Sequence, residues 1–186
     1  MSGAVMLSIL IAGLFSSNII ASSGVGVDFA TNNLSTIKNS VIYSIVIFFT
    51  AIFATICIYV ANLALVASGL SNFLIVVALL IVSVSVQISE FMLKKLLPLF
   101  FTQTKYFVPS LVSTLFIMVV SAFGASQGFF ELLFVIFCQS LGVLLVLAII
   151  AGIRQTNSIQ NKPTLLKGNL MSLVILLFVM LAWTAF

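Results

Sequence analysis

Of the chain's 186 residues, 63% are hydrophobic and only 10 are charged, seven Lys or Arg against three Asp or Glu, with no His at all. An ordinary soluble chain carries roughly a quarter of its residues as Asp, Glu, Lys or Arg. The composition reads as an integral membrane protein and excludes a cytosolic enzyme domain, a nucleic-acid module and a disulfide scaffold.

The charges sit at the edges of long uncharged runs at 1–27, 39–89, 106–130, 132–153 and 168–186. A Lys, Arg or Asp at mid-bilayer costs about 2.5–3.5 kcal/mol on the insertion scale. A hydrocarbon core of about 30 Å takes about 20 helical residues, so the chain has room for about six spans.

The first apolar stretch, Val5 to Ile20, lacks the basic lead of a cleaved signal and reads as a retained first helix. It runs into Ala21-Ser22-Ser23-Gly24-Val25-Gly26-Val27-Asp28, which predicts a helix broken within or near the membrane. Residues 39–89 hold two spans, and Ser68-Gly69-Leu70-Ser71-Asn72 is their turn-forming cluster. The expected second and third helices are 40–66 and 72–92, the third ending where Glu90 and Lys94 are spaced to pair on one face. Leu96 to Gln103 is too short to cross a bilayer and reads as a re-entrant or interfacial piece. The fourth helix is expected at 106–123, with Pro109, Ser110, Ser113 and Thr114 in its first half, then a turn at Gly124 and Gln127-Gly128. The fifth is expected at 129–153, followed by a polar stretch from Arg154 to Lys167 and a sixth helix at 169–185.

The cations Lys38, Lys94, Lys95, Lys105, Arg154, Lys162 and Lys167 all fall in the 1–2, 3–4 and 5–6 connections. The positive-inside rule then puts those connections in the cytoplasm and both termini outside, in a multi-pass protein of a bacterial plasma (inner) membrane. The expected fold class is all-α, a single membrane domain over 1–186 made of six helices in two inverted repeats, 1–93 and 94–186. Each repeat opens on its least regular helix, the first and the fourth being broken or half-helices. Interrupted helices that meet near the midplane are the usual architecture of an ion or substrate path. Asn18, Gly24, Gly26, Asp28, Ser113 and Thr114 are therefore the ion-path candidates, although small and hydroxyl residues also serve close helix packing. Cys57 and Cys138 each lie inside an apolar run and read as small buried residues, with a metal or redox role as the alternative. No nucleophile–base pair, nucleotide loop or metal constellation is evident, so no catalytic or metal-ligating residue is assigned.

Several segments carry a resemblance. Val86-Gln87-Ile88-Ser89-Glu90-Phe91 is followed by Lys94-Lys95 and Pro98; Phe107-Val108-Pro109 leads into Val112-Ser113-Thr114; and Gly152-Ile153-Arg154 precedes Pro163 and Leu166-Lys167-Gly168-Asn169. In order and spacing these resemble the six-helix membrane subunits of the Rnf and Nqr ion-translocating oxidoreductases, the RnfA and NqrE type most closely. The resemblance covers nearly the whole chain. It implies an electron-transport complex in which the chain faces other membrane subunits, among them an RnfE/NqrD-type subunit of opposite topology. It also implies a [2Fe-2S] cluster inside the membrane, to which each such subunit gives one cysteine from an L-G-x-C segment and one from T-N-C. In this chain Val25-Gly26-Val27-Asp28 and Ser113-Thr114-Leu115 stand at those places, so Asp28 and Leu115 occupy the ligand positions. Leucine cannot ligate iron, and carboxylate is a poor replacement for thiolate at such a cluster.

Three functional expectations follow. The chain is a divergent membrane subunit of an Rnf/Nqr-like complex without its own iron–sulfur ligands, or a cysteine-free relative acting as a small cation or solute transporter or channel component, or a purely structural assembly subunit. Lipid is a partner in every case and nucleic acid in none.

Overall fold

The structure, a computed structural model, describes residues 3–12, 37–96, 107–125 and 128–159, together with the helical positions 174, 177, 178 and 181. Among the described residues there is no strand, in keeping with the all-α expectation. The elements are α1 (Gly3–Ile11), α2 (Ile37–Ala67), α3 (Leu74–Leu96), α4 (Phe107–Ala125) and α5 (Phe129–Ile159), with a 3-10 turn at Ser71–Phe73 before α3. In lipid each backbone N–H and C=O must be paired within the segment, so an apolar run of this length folds as helix.

Three helices are long and apolar enough to cross a membrane, Ile37–Ala67, Ser71–Leu96 and Phe129–Ile153, and Val108–Gly124 is a shorter apolar fourth. At about 1.5 Å per residue α2 and α5, each of 31 residues, measure about 46 Å and outrun the hydrocarbon core. The second span starts three residues before its expected boundary. α3 continues to Leu96, so that residue closes a helix instead of opening the short piece expected at 96–103. Lys94 and Lys95 lie in its last turn, where cations meet the negative end of the helix dipole. α5 runs past Arg154 to Ile159, because nothing before Pro163 stops a helix once it has left the apolar layer. The positions of the expected break at 21–28, the expected piece at 97–103 and most of the expected sixth helix lie outside the described residues.

The turn between α2 and α3 falls on the expected cluster. Gly69 has φ +69, its N–H donates to the Val66 carbonyl at 3.1 Å, and the Leu70 N–H donates to the Leu65 carbonyl at 2.9 Å. This pair of bonds is a Schellman cap, which uses a left-handed residue to satisfy the last carbonyls of a helix.

α2 is the central helix, packing most extensively on α5, then on α3 and α4. Edge-on contacts between Phe48 and Phe137 and a tilted one between Tyr59 and Phe129 show α2 and α5 to be antiparallel. A contact near the N-termini of both helices, Tyr43 to Ser110, makes α2 and α4 parallel. The buried stripe of α2 reads Ser40, Tyr43, Ser44, Ile47, Thr50, Ala51, Ala54, Thr55 and Ile58. Spacings of three and four keep it on one face. Small and hydroxyl side chains there let neighbouring backbones approach, and close packing drives helix association where lipid is as apolar as the core. Leu111, Leu115 and Met118 of α4 with Leu132, Ile136 and Leu147 of α5 complete that core.

Candidate functional site

The interior of the bundle contains a seam of uncharged polar groups. Ser40, Ser44, Thr50 and Thr55 of α2, Ser85 of α3, Ser110 and Thr114 of α4, and Gln139 and Ser140 of α5 are all buried. Most are tied to their own helix. The hydroxyls of Ser44, Ser85, Thr114 and Ser140 donate to the carbonyls four residues back, Ser40, Ile81, Ser110 and Ile136, at 2.7–3.0 Å. A Ser or Thr in an apolar helix can discharge its donor in this way.

Three side-chain pairs cross between helices. The Tyr43 Oη donates to the Ser110 Oγ at 3.2 Å and joins α2 to α4. The Thr50 and Ser89 hydroxyls meet at 2.7 Å between α2 and α3. The Gln139 Nε2 donates to the Ser121 Oγ at 3.0 Å between α5 and α4. Since the Ser121 hydroxyl donates onward to the Met118 carbonyl at 3.0 Å, Gln139 must present its amide nitrogen there and its oxygen elsewhere. That Oε1, with the Ser40 Oγ and the Thr55 Oγ1, is buried without a hydrogen-bond partner among the described residues. Buried polar atoms are usually paired, and an orphan costs about 1–3 kcal/mol.

Of the ion-path candidates, Ser113 and Thr114 stand on α4, and Asn18, Gly24, Gly26 and Asp28 lie outside the described residues. The Ser113 side chain is exposed and folds back on the Pro109 and Ser110 carbonyls at 3.2 and 3.1 Å. Thr114 is buried within reach of the Tyr43 phenol. Leu115 is fully buried in the apolar core. At that position there is a hydrocarbon side chain among hydrocarbon neighbours, and it does not fit an iron–sulfur cluster.

The two thiols are not brought together. Cys138 follows Phe137, which faces Phe48, whereas Cys57 lies nine residues beyond Phe48, about 13 Å of helix. Two thiolates on one metal sit within about 5 Å, twice a metal–sulfur bond of about 2.3 Å. Among the described residues no three His, Cys, Asp or Glu side chains form a group that could hold a metal ion.

The sequence marks Ser113 and Thr114 as neutral oxygens on the irregular fourth helix and does not single out Tyr43 and Ser110, the residues that make the cross-helix bond. The available signal was the spacing Ser40, Tyr43, Ser44, Ile47, which puts three polar groups on one face of an apolar helix.

No curated protein matches the chain. A family model described as Rnf-Nqr subunit, membrane protein, matches residues 6–186. That match covers α2 to α5 in full and most of α1, and the chain therefore belongs to the Rnf-Nqr membrane subunit family.

Proposed function

We propose that the chain is a membrane subunit of an Rnf/Nqr-like electron transport complex that couples electron transfer to ion translocation, and that it supplies no iron–sulfur ligands of its own. The family match over residues 6–186 carries this reading. Leucine at position 115, buried among apolar neighbours, supports the second half of it. In this reading the chain pairs with an RnfE/NqrD-type subunit of opposite topology in a bacterial inner membrane, with its termini extracytoplasmic. Redox groups reside in other subunits. A tagged copy expressed from its own chromosome should bring down flavin- and cluster-bearing subunits, and substitution of Cys57 and Cys138 by Ser should leave the iron content of the complex unchanged. Recovery of the chain alone from native membranes refutes the assignment.

A second reading is favoured by the buried oxygens of Ser40, Thr55 and Gln139, which have no hydrogen-bond partner among the described residues. Here the chain itself passes a small cation or solute. Sodium flux into proteoliposomes containing only this chain separates the readings: flux that falls in Asp28→Asn supports transport by the chain, and its absence leaves translocation to the complex.

A further inference from the structure

The face of α2 that turns away from α4 forms a groove with α3, lined by Ile45, Phe49, Phe53, Ile88, Met92 and Leu96 over a floor of Thr50 and Ser89. Its volume is about 320 Å³. The two floor hydroxyls meet each other at 2.7 Å and also reach the Val46 and Ser85 carbonyls at 2.7 and 3.0 Å. Both are engaged, and the groove asks for an apolar occupant.

One end of the groove is cationic. Lys38 stands seven residues before Ile45 on α2, and Lys95 seven residues after Ile88 on α3. Seven residues are close to two helical turns, so Lys38 extends a groove-lining row beyond this end and Lys95 continues one at the same end, beside Leu96. Both are exposed, and among the described residues neither has a carboxylate partner. The neighbouring Lys94 differs, because Glu90 compensates it at 2.7 Å on the other side of α3. With Thr50 opposite Ser89, Lys38 and Lys95 are separated by about 9 Å along the axis, a gap that a phospholipid headgroup spans.

We propose that this groove binds an anionic phospholipid, its phosphate held between Lys38 and Lys95 and one acyl chain laid along Ile45, Phe49, Ile88 and Met92. Charge selects this occupant: an apolar groove with two exposed lysines at one end, neither with a carboxylate partner among the described residues, matches an acyl chain below an anionic headgroup. Basic pockets between helices at the membrane surface recognise anionic headgroups, each cation strengthening binding by about fivefold, which gives roughly 25-fold for two.

The test uses the delipidated full chain in detergent. Native mass spectrometry and thermal unfolding are titrated with phosphatidylglycerol, with phosphatidylcholine of identical acyl chains, and with inorganic phosphate. Phosphatidylglycerol should bind about 25-fold more tightly than phosphatidylcholine, and phosphate alone should not raise the unfolding temperature. Lys38→Gln and Lys95→Gln should each reduce the preference about fivefold, while Ile88→Trp, which fills the groove, should weaken both lipids. Equal binding of the two lipids overturns the proposal, as does an undiminished preference in the double lysine variant, whose exposed substitutions leave the packing intact. Loss of a co-purifying membrane subunit in Ile88→Trp, with lipid binding unaltered, would give the groove to a protein partner and overturn it equally.

Discussion

Tyr43→Phe removes one oxygen from a fully buried side chain and leaves its ring in place, so it isolates the hydrogen bond that ties α2 to α4. A typical intramolecular hydrogen bond contributes about 0.5–1.5 kcal/mol. Double-mutant cycles between transmembrane helices average about 0.6 kcal/mol and reach about 1.7. We expect Tyr43→Phe to cost about 1 kcal/mol. Ser110→Ala should cost less, about 0.5 kcal/mol, because the Thr114 hydroxyl lies within reach of the same phenol and can take over as acceptor. The Ser110→Ala, Thr114→Val double variant removes both acceptors and should cost at least as much as Tyr43→Phe. Unfolding of the purified protein in mixed micelles, titrated with sodium dodecyl sulfate, measures wild type and these three variants, together with the Tyr43→Phe, Ser110→Ala double variant that closes the cycle. A Tyr43–Ser110 coupling below about 0.2 kcal/mol, or a Ser110→Ala cost exceeding that of Tyr43→Phe, refutes the idea that this bond couples the helices with Thr114 in reserve.

Ala54 is completely buried on the close-packed face of α2, so Ala54→Leu should destabilise by about 1–3 kcal/mol through overpacking, whereas Leu at exposed Ala64 on the same helix should leave the unfolding midpoint nearly unchanged. Gly69→Ala forces a side chain into the left-handed conformation of the Schellman cap and should cost about 1 kcal/mol, part of it recovered by Asn, with unfolding midpoints as the readout. Glu90→Gln breaks an ion pair whose lysine is half exposed and should lower stability by no more than about 0.5 kcal/mol; a larger loss would show the pair to be shielded from solvent. Thr55→Val keeps the shape of a buried side chain and deletes a hydroxyl without a partner among the described residues, so it should raise stability by about 1 kcal/mol. A loss of stability instead would show that the hydroxyl serves a bound water or ion.

Much of the architecture was legible because the bilayer imposes simple rules. The uncharged run at 39–89 is too long for one span, and the single cluster with turn chemistry, around Gly69, is where the chain reverses. Glu90 and Lys94 pair as their spacing requires. Helix ends were less legible. α3 and α5 continue past the first charged residues, since a helix already formed tolerates Lys or Arg at the interface, and sequence marks where the apolar layer stops more clearly than where the helix does. The site was legible only in outline. Ser113 and Thr114 stand out in the sequence as neutral oxygens on the irregular fourth helix, but rotation about α4 decides what a hydroxyl meets: Ser113 faces outward, and Ser110, one turn earlier, faces Tyr43. No spacing rule within α4 reveals which of its serines a side chain 67 residues away will contact.

The hydroxyls of this bundle therefore fall into groups of unequal weight. Ser44, Ser85, Ser113, Thr114 and Ser140 are each discharged on their own helix and would sit as comfortably in any tightly packed apolar bundle. Tyr43, Ser110, Thr50, Ser89, Ser121 and Gln139 fix helices against one another, and they do so without a buried charge, avoiding the desolvation cost that an ion pair would bring. Among the described residues, Ser40, Thr55 and the Gln139 oxygen do neither. An isosteric apolar residue is available for Thr55 and a smaller one for Ser40, and a buried hydroxyl that stays unpaired costs about 1–3 kcal/mol. Groups kept against stability are the ones to expect at a functional surface. Along α2 and α5 these orphan atoms are further places, beside Ser113 and Thr114 of α4, at which to test for passage of water or ions.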